Sequence, residues 1–148
     1  MDRPEDIEVH PLSKKIYLAM TNNTRRTAQQ IDKANPRANN RDGHIIEMTE
    51  DRNDPTAVSF TWSIFMLCGE PDDASTNFAG YPKQGLSPIS SPDNLIFDNA
   101  GNLWIFTDGQ PGTLRKNDAV FAVPVEGPGR GALRPFLHGR ARRGDCLR

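Results

Sequence analysis

Apolar and polar residues alternate along this chain in short bursts, and the bursts come in two sets. Ile7 and Val9 stand two apart after Pro4-Glu5-Asp6, and Leu95 and Phe97 stand two apart after Pro92-Asp93-Asn94. A period of two is the signature of a strand with one face buried. A turn follows each burst, His10-Pro11-Leu12-Ser13-Lys14 in the first set and Asp98-Asn99-Ala100-Gly101 in the second, and then a second strand over 15–20 and 102–107. The Asn-Ala-Gly stretch supplies residues that tolerate the left-handed backbone of a hairpin. A third strand is predicted over 43–48 and 118–123, and a fourth over 59–67 and 132–137. Pro135, which has no N–H to give a ladder, predicts an edge position for the last of these.

The two sets are copies of one plan, with Glu5 and Asp93 lying 88 residues apart at matching places. A repeating unit of four short antiparallel strands is the blade of a β-propeller. The expected fold is therefore all-β: a partial β-propeller of about two four-stranded blades, one over about 3–68 and one over about 91–138, followed by an Arg-rich divergent tail over 139–148. Two blades do not close a ring, and each blade's core is completed by its neighbours. The chain is thus expected to be a fragment whose partners are the missing blades, with assembly from copies of itself as the other solution. The segments 21–42 and 69–90 are long polar or Gly/Pro/Ser-rich loops of the kind that carry function. A helix over 24–34 is conceivable but poorly patterned.

Composition narrows the classes. The 148 residues carry 18 Lys and Arg against 19 Asp and Glu, a net charge of −1, so no basic footprint for nucleic acid covers the chain. No apolar run approaches the roughly 18 residues that a membrane-crossing helix needs. Two cysteines exclude a disulfide-rich scaffold and an all-protein zinc ribbon. Cys68 ends an apolar run and reads as a buried free thiol; Cys146 sits in the basic tail. The N-terminus has neither a basic n-region nor an apolar h-region, so no export signal is expected in this chain.

Candidate chemistry follows from the repeat. In a propeller the first strand of each blade lines the central channel, and the residues opening it face the channel mouth. Glu5 and Asp93 then sit at equivalent places on adjacent blades. Two carboxylates converging on one axis repel unless a cation lies between them, and hard cations such as calcium, or iron and manganese, take such oxygens. The alternative is that each acid caps its strand or forms a local turn. Arg3, two residues before Glu5, points the same way in an extended segment and offers a planar fork for a phosphate or carboxylate, or else pairs with a surface acid. His10 is placed in a turn, His44 at a strand start with a structural hydrogen bond, and His138 near the end. Arg25-Arg26 and the arginines at 140–143 read as solvated basic clusters, and 50–54 as a surface turn without EF-hand spacing. No nucleophile elbow, Walker loop or His-Glu-x-x-His is present.

Six stretches in order carry a resemblance: Met1-Asp2-Arg3-Pro4-Glu5-Asp6-Ile7-Glu8, Leu18-Ala19-Met20-Thr21-Asn22-Asn23, Asn35-Pro36-Arg37-Ala38-Asn39-Asn40-Arg41-Asp42-Gly43-His44-Ile45, Phe60-Thr61-Trp62-Ser63-Ile64-Phe65, Ser90-Ser91-Pro92-Asp93-Asn94-Leu95 and Asn102-Leu103-Trp104-Ile105-Phe106-Thr107-Asp108-Gly109. Together, over roughly 1–137, they resemble the C-terminal half of the PhoX-type alkaline phosphatases of bacteria. The resemblance implies a six-bladed propeller holding iron and calcium, hydrolysis of phosphomonoesters, and export to the periplasm or beyond. It implies that Glu5 and Asp93 are metal ligands and that Arg3 contacts the substrate phosphate. The family's cysteine ligand to iron belongs to a part of the family not matched here, so neither Cys68 nor Cys146 takes that role. With the remaining ligands outside this chain, the chain alone is expected to be inactive. The stretch around Pro92–Asp98 with Gly101–Trp104 also resembles the calcium-dependent sugar-lactone hydrolases. A third reading is a non-catalytic propeller fragment acting as an interaction surface.

Overall fold

In a computed structural model, residues 1–139 are described, and the strands fall into two antiparallel sheets. The first is ordered β1-β2-β3-β4-β5, with β1 Pro4–Val9, β2 Ile16–Met20, β3 His44–Glu50, β4 Phe60–Leu67 and β5 Asn77–Phe78. The second is ordered β6-β7-β8-β9, with β6 Pro92–Phe97, β7 Asn102–Thr107, β8 Ala119–Pro124 and β9 Arg134–His138. Each sheet is a meander, so neighbours in sequence pair in space. The expected strands are all present, displaced by one or two residues at their ends. Pro135 lies on the edge strand β9, as its missing donor requires.

Three expectations need correction. The segment 24–34 forms only a single 3-10 turn, Ala28–Gln30, since it has no apolar stripe with which to bury a longer helix. The loop 69–90 contributes the two-residue strand β5 beyond Leu67, too short to leave an alternation in the sequence. In the second set the residues before Arg134 are not strand: Ala132 and Leu133 are buried in a loop that turns at Gly131. Gly131 has φ +88°, and a Cβ there would collide with the carbonyl oxygen of Phe78. The Arg-rich stretch 140–148, with Cys146, lies outside the described residues.

The alternation predicted from sequence decides which faces meet. Register places Tyr17, Ala19, Ile45 and Glu47 on one face of the first sheet, and Leu95, Phe97, Leu103 and Ile105 on one face of the second. These faces pack together as the core. Tyr17 meets Phe97 edge-on at 5.3 Å between ring centroids, and Phe65 at 5.4 Å. The hairpin turns are linked as well. His10 Nε2 donates to the carbonyl of Gly101 at 3.2 Å, while its Nδ1 accepts from the Ser13 backbone at 2.9 Å. His10 is thus in a turn, as expected, and buried because it docks one hairpin onto the other.

A second tie crosses the core rim. Glu47 accepts from Tyr17 Oη at 2.5 Å and from Arg130 at 2.7 Å, and the Arg130 guanidinium lies 4.8 Å from the centroid of the Phe65 ring. Burial works to raise the Glu47 carboxyl, but these two donors bring it below the ordinary carboxylate value. Arg130→Met is expected to lower the unfolding free energy by about 2 kcal/mol, read from urea denaturation, because a charge-assisted bond to a buried acid is lost.

Candidate functional site

The two acids singled out in the sequence occupy the same irregularity in each sheet. In β1, Pro4 pairs with Met20 and Asp6 with Ala19, leaving Glu5 as the extra residue of a β-bulge. In β6, Pro92 pairs with Thr107 and Asn94 with Phe106, leaving Asp93 as the extra residue. A bulge re-aims its side chain away from the regular pleat. Both first strands therefore open with an acid released from the ladder, and the strands are adjacent across the sheet-to-sheet packing.

Charge gathers around this pair. Arg3 Nε lies 2.7 Å from Glu5 Oε1, with the two side chains 51% and 35% exposed. The extended i, i+2 relation read from sequence thus brings them together, and the acid that Arg3 pairs with is Glu5 itself. The Asp93 carboxyl is raised above its ordinary value, first by desolvation and then by the charges of Glu5 and Asp108, against which Arg3 acts. Asp108 follows β7 directly, and sequence reasoning did not single it out. Asp6 turns the other way and accepts from the backbone N–H of Leu95 at 2.7 Å, locking the two first strands in register.

The segment bearing Arg3 and Glu5 is held from below by a buried polar cluster. Asp2 is fully buried; its Oδ1 accepts from Arg26 Nε at 2.9 Å and Nη2 at 2.6 Å, and its Oδ2 from Asn40 Nδ2 at 2.6 Å. Asn40 also lies 3.2 Å from His44 Nδ1, and His44 Nε2 donates to the carbonyl of Ala34 at 2.9 Å. This pattern suits a neutral imidazole with its proton on Nε2. Desolvation drives the His44 value down from 6.5 to about 4, against the nearby Asp2 charge. His44 thus has the structural hydrogen bond expected of it. Arg26 does not have the solvated place expected: it is 7% exposed and belongs to the Asp2 cluster. Nothing local marks it out from Arg25, because the acid that buries it lies 24 residues away.

The loops that close this end meet at Gly43. Its φ is +76°, and a Cβ would collide with the carbonyl oxygen of Thr21 and fall 2.8 Å from Pro92 Cδ, so only glycine lets the two sheets approach here. Arg37 donates to the carbonyls of Cys68, at 2.7 Å, and Gly43. Thr21 Oγ1 donates to the carbonyl of Pro92 at 2.8 Å. The Cys68 thiol is buried and pushed up to about 12 by desolvation, which makes it inert as a nucleophile. His138 is exposed on the edge strand, and 51–53 form an exposed 3-10 turn, as expected of a surface segment.

Glu5, Asp93 and Asp108 are hard oxygen donors, the type that calcium and ferric ions take. Among the described residues no group of three or more His, Cys, Asp or Glu side chains is close enough to hold a metal ion. Their oxygen chemistry suits such an ion in kind, and the three do not by themselves form a site.

A family model described as alkaline phosphatase PhoX matches residues 1–144. The chain belongs to the PhoX alkaline phosphatase family. It is similar to the solved structure of Pseudomonas fluorescens PhoX in complex with vanadate, a transition state analogue, with a TM-score of 0.77 and 35% identity over 94% of this chain and 25% of that chain. The chain thus spans about a quarter of the length of that PhoX relative. No curated protein matches it by sequence. Within the PhoX fold the two sheets are adjacent blades of a β-propeller, the first carrying β5 as an additional strand. No helix among the described residues is long and apolar enough to cross a membrane.

Proposed function

We propose that this chain contributes one sector of the active site of a metal-dependent phosphomonoesterase, and that by itself it hydrolyses no phosphate ester. The observation that carries this is the pair of matching β-bulges that release Glu5 and Asp93 on adjacent first strands, beside the exposed guanidinium of Arg3. In this reading Glu5 and Asp93 hold metal ions, calcium and iron by family resemblance. Arg3 leaves Glu5 in part to grip a phosphoryl oxygen with its planar fork. A bound metal would stabilise charge developing on the phosphoryl group. The raised Asp93 carboxyl must shed its proton to bind a cation, so metal affinity falls as the pH is lowered.

The substrate is a phosphate monoester in the full-length protein, whose expected location is the periplasm or the exterior. The vanadate held by the Pseudomonas fluorescens relative supports phosphoryl transfer, and the family match favours it over a lactonase-like reading.

The test uses a full-length relative and this chain side by side. In the relative, changing the residues that match Glu5 and Asp93 to Gln and Asn is expected to cut turnover of a chromogenic phosphate ester about 1,000-fold, the scale of losing a charge-stabilising group. Changing the match of Arg3 to Met is expected to raise KM for the ester and weaken vanadate inhibition. Hydrolysis of lactones but not phosphate esters by the relative would overturn the phosphatase reading. Robust metal-dependent turnover by this chain alone would overturn its incompleteness.

A further inference from the structure

Position 91 holds a backbone conformation that its own residue and the next one both disfavour. Ser91 has φ +53°, in the left-handed region where a Cβ is crowded. It also precedes Pro92, whose ring pushes the residue before it toward an extended backbone. The side chain does not compensate. Ser91 is fully buried, and its hydroxyl has no hydrogen-bond partner among the described residues. It lies against Gly109, where a Cβ would fall 2.9 Å from Ser91 Oγ. Strain of this kind persists only where the surroundings impose it, and it gathers at functional sites.

Here both sheets impose it. The Ser91 N–H donates to the carbonyl of Asp42 at 2.8 Å, and the Ser91 carbonyl accepts from the N–H of Asp108 at 3.1 Å. Pro92 is held in turn by the Thr21 hydroxyl on its carbonyl. Ser91 therefore ties the strand that opens on Asp93 to the residue that follows β7, Asp108, just before the bulge.

The repeat shows what the left-handed turn changes. Counted from the bulged acids, Ser91 stands where Arg3 stands, and Asp108 where Thr21 stands. The Arg3 carbonyl accepts from the Thr21 N–H at 2.9 Å, the same bond in the other sheet. Arg3 lies outside the left-handed region, and its half-exposed side chain points with Glu5 and pairs with it. At Ser91 the turn sends the side chain of that position into the blade instead. Glu5 thus has a partner two residues back, and Asp93 has none.

We propose that Ser91 is a positioning residue of the phosphatase site: its left-handed turn, and not its hydroxyl, sets Asp93 beside Asp108 and keeps position 91 clear of the cation that Asp93 takes. This rests on the reading of Asp93 as a metal ligand.

Two measurements test it. In this chain without metal, Ser91→Gly is expected to raise the melting temperature by about 2–4 °C, because glycine adopts a left-handed φ without strain. An unchanged or lower melting temperature would show an unstrained turn and overturn the proposal. The second measurement uses a full-length relative with Ser-Pro-Asp and Asp-Gly at the matching places, with calcium binding read by calorimetry and turnover of a chromogenic phosphate ester beside it. Valine is branched at Cβ and all but excluded from a left-handed backbone. The change equivalent to Ser91→Val is expected to weaken calcium binding by about 10-fold or more, the scale of losing a group that orients a ligand, and to lower kcat. KM for the ester, governed by the match of Arg3, is expected to stay within about 3-fold. The change equivalent to Ser91→Gly keeps the turn and lacks the hydroxyl, so calcium binding is expected to stay within about 3-fold of the unmodified protein, below the range for a lost orienting group. Calcium binding lost equally with glycine would assign the role to the hydroxyl, and calcium binding retained with valine would leave the turn without a role. A KM that rises as far as kcat falls would show general disruption of the site. Each of these overturns the proposal. The change equivalent to Asp93→Asn separates it from the reading beneath it. If that change weakens calcium binding and Ser91→Val does not, the role of Ser91 alone falls. If it leaves calcium binding intact, the metal reading fails and the role of Ser91 fails with it.

Discussion

Asp2→Ala is expected to lower the unfolding free energy by about 3–5 kcal/mol, the cost of leaving one member of a buried ion pair without its partner. The Arg26 guanidinium spends two of its N–H groups on a single oxygen of Asp2 and a third on the carbonyl of Gln30, 2.6 Å away. With Asp2 gone, a charge that is 7% exposed faces a void, and Asn40 loses the acceptor that fixes its amide. Asp2→Ala combined with Arg26→Met is expected to be more stable than Asp2→Ala alone, because the stranded charge is removed with its partner. Denaturant titration of the four proteins of this cycle reads the coupling directly. A loss below about 1 kcal/mol for Asp2→Ala, on the scale of an exposed ion pair, would show that the cluster does not hold the N-terminal segment.

Acidification from pH 6.5 to about 4 is expected to remove about 3 kcal/mol of stability through His44. The folded value is depressed, so in this window the unfolded chain binds a proton that the folded chain refuses. The contribution is complete above the unfolded value of 6.5 and is lost as the pH falls toward about 4, below which both states are protonated. The refusal has a geometric cause. The imidazole is fully buried, its Nε2 proton is committed to Ala34, and its Nδ1 faces the Asn40 amide, which leaves no acceptor for a second proton except the already occupied Asp2. His44→Gln cannot titrate, so its stability curve is expected to be flatter than that of the unmodified chain across this window. Parallel curves for the two proteins would show that the imidazole titrates equally in the folded and unfolded states.

Several site features were legible because they are local or repeated. The Pro-acid-apolar openings at Pro4 and Pro92 align by inspection, so the equivalence of Glu5 and Asp93 follows from the order of residues alone. The i, i+2 spacing of Arg3 and Glu5 suffices to bring them together, since it depends only on an extended backbone. Cys68 was readable as a buried thiol from the apolar run it ends. The bulges were not legible, because a bulge is a mismatch between two strands and neither strand alone records it. Asp108 was missed for a related reason: its charge matters only because β7 returns it beside Asp93.

The alternation of apolar residues by itself determined that this chain is built from short antiparallel strands in two matching sets, because side chains on a strand must point alternately to either side. The short turns at 10–15 and 98–101 set the pairing of the first two strands in each set, since a few residues of loop permit pairing only with the next strand, whereas longer connections carry the chain on to the later strands. Tertiary structure alone decided that Asp2 and Arg26 would be buried together, that His44 would stay neutral, and that Gly43 would sit where two sheets close. Those outcomes depend on the loop 21–43 folding back over residues 1–5, and burial converts an ordinary surface acid and arginine into an obligatory pair. Desolvation and charge pairing act through space, at separations that no spacing along the chain encodes.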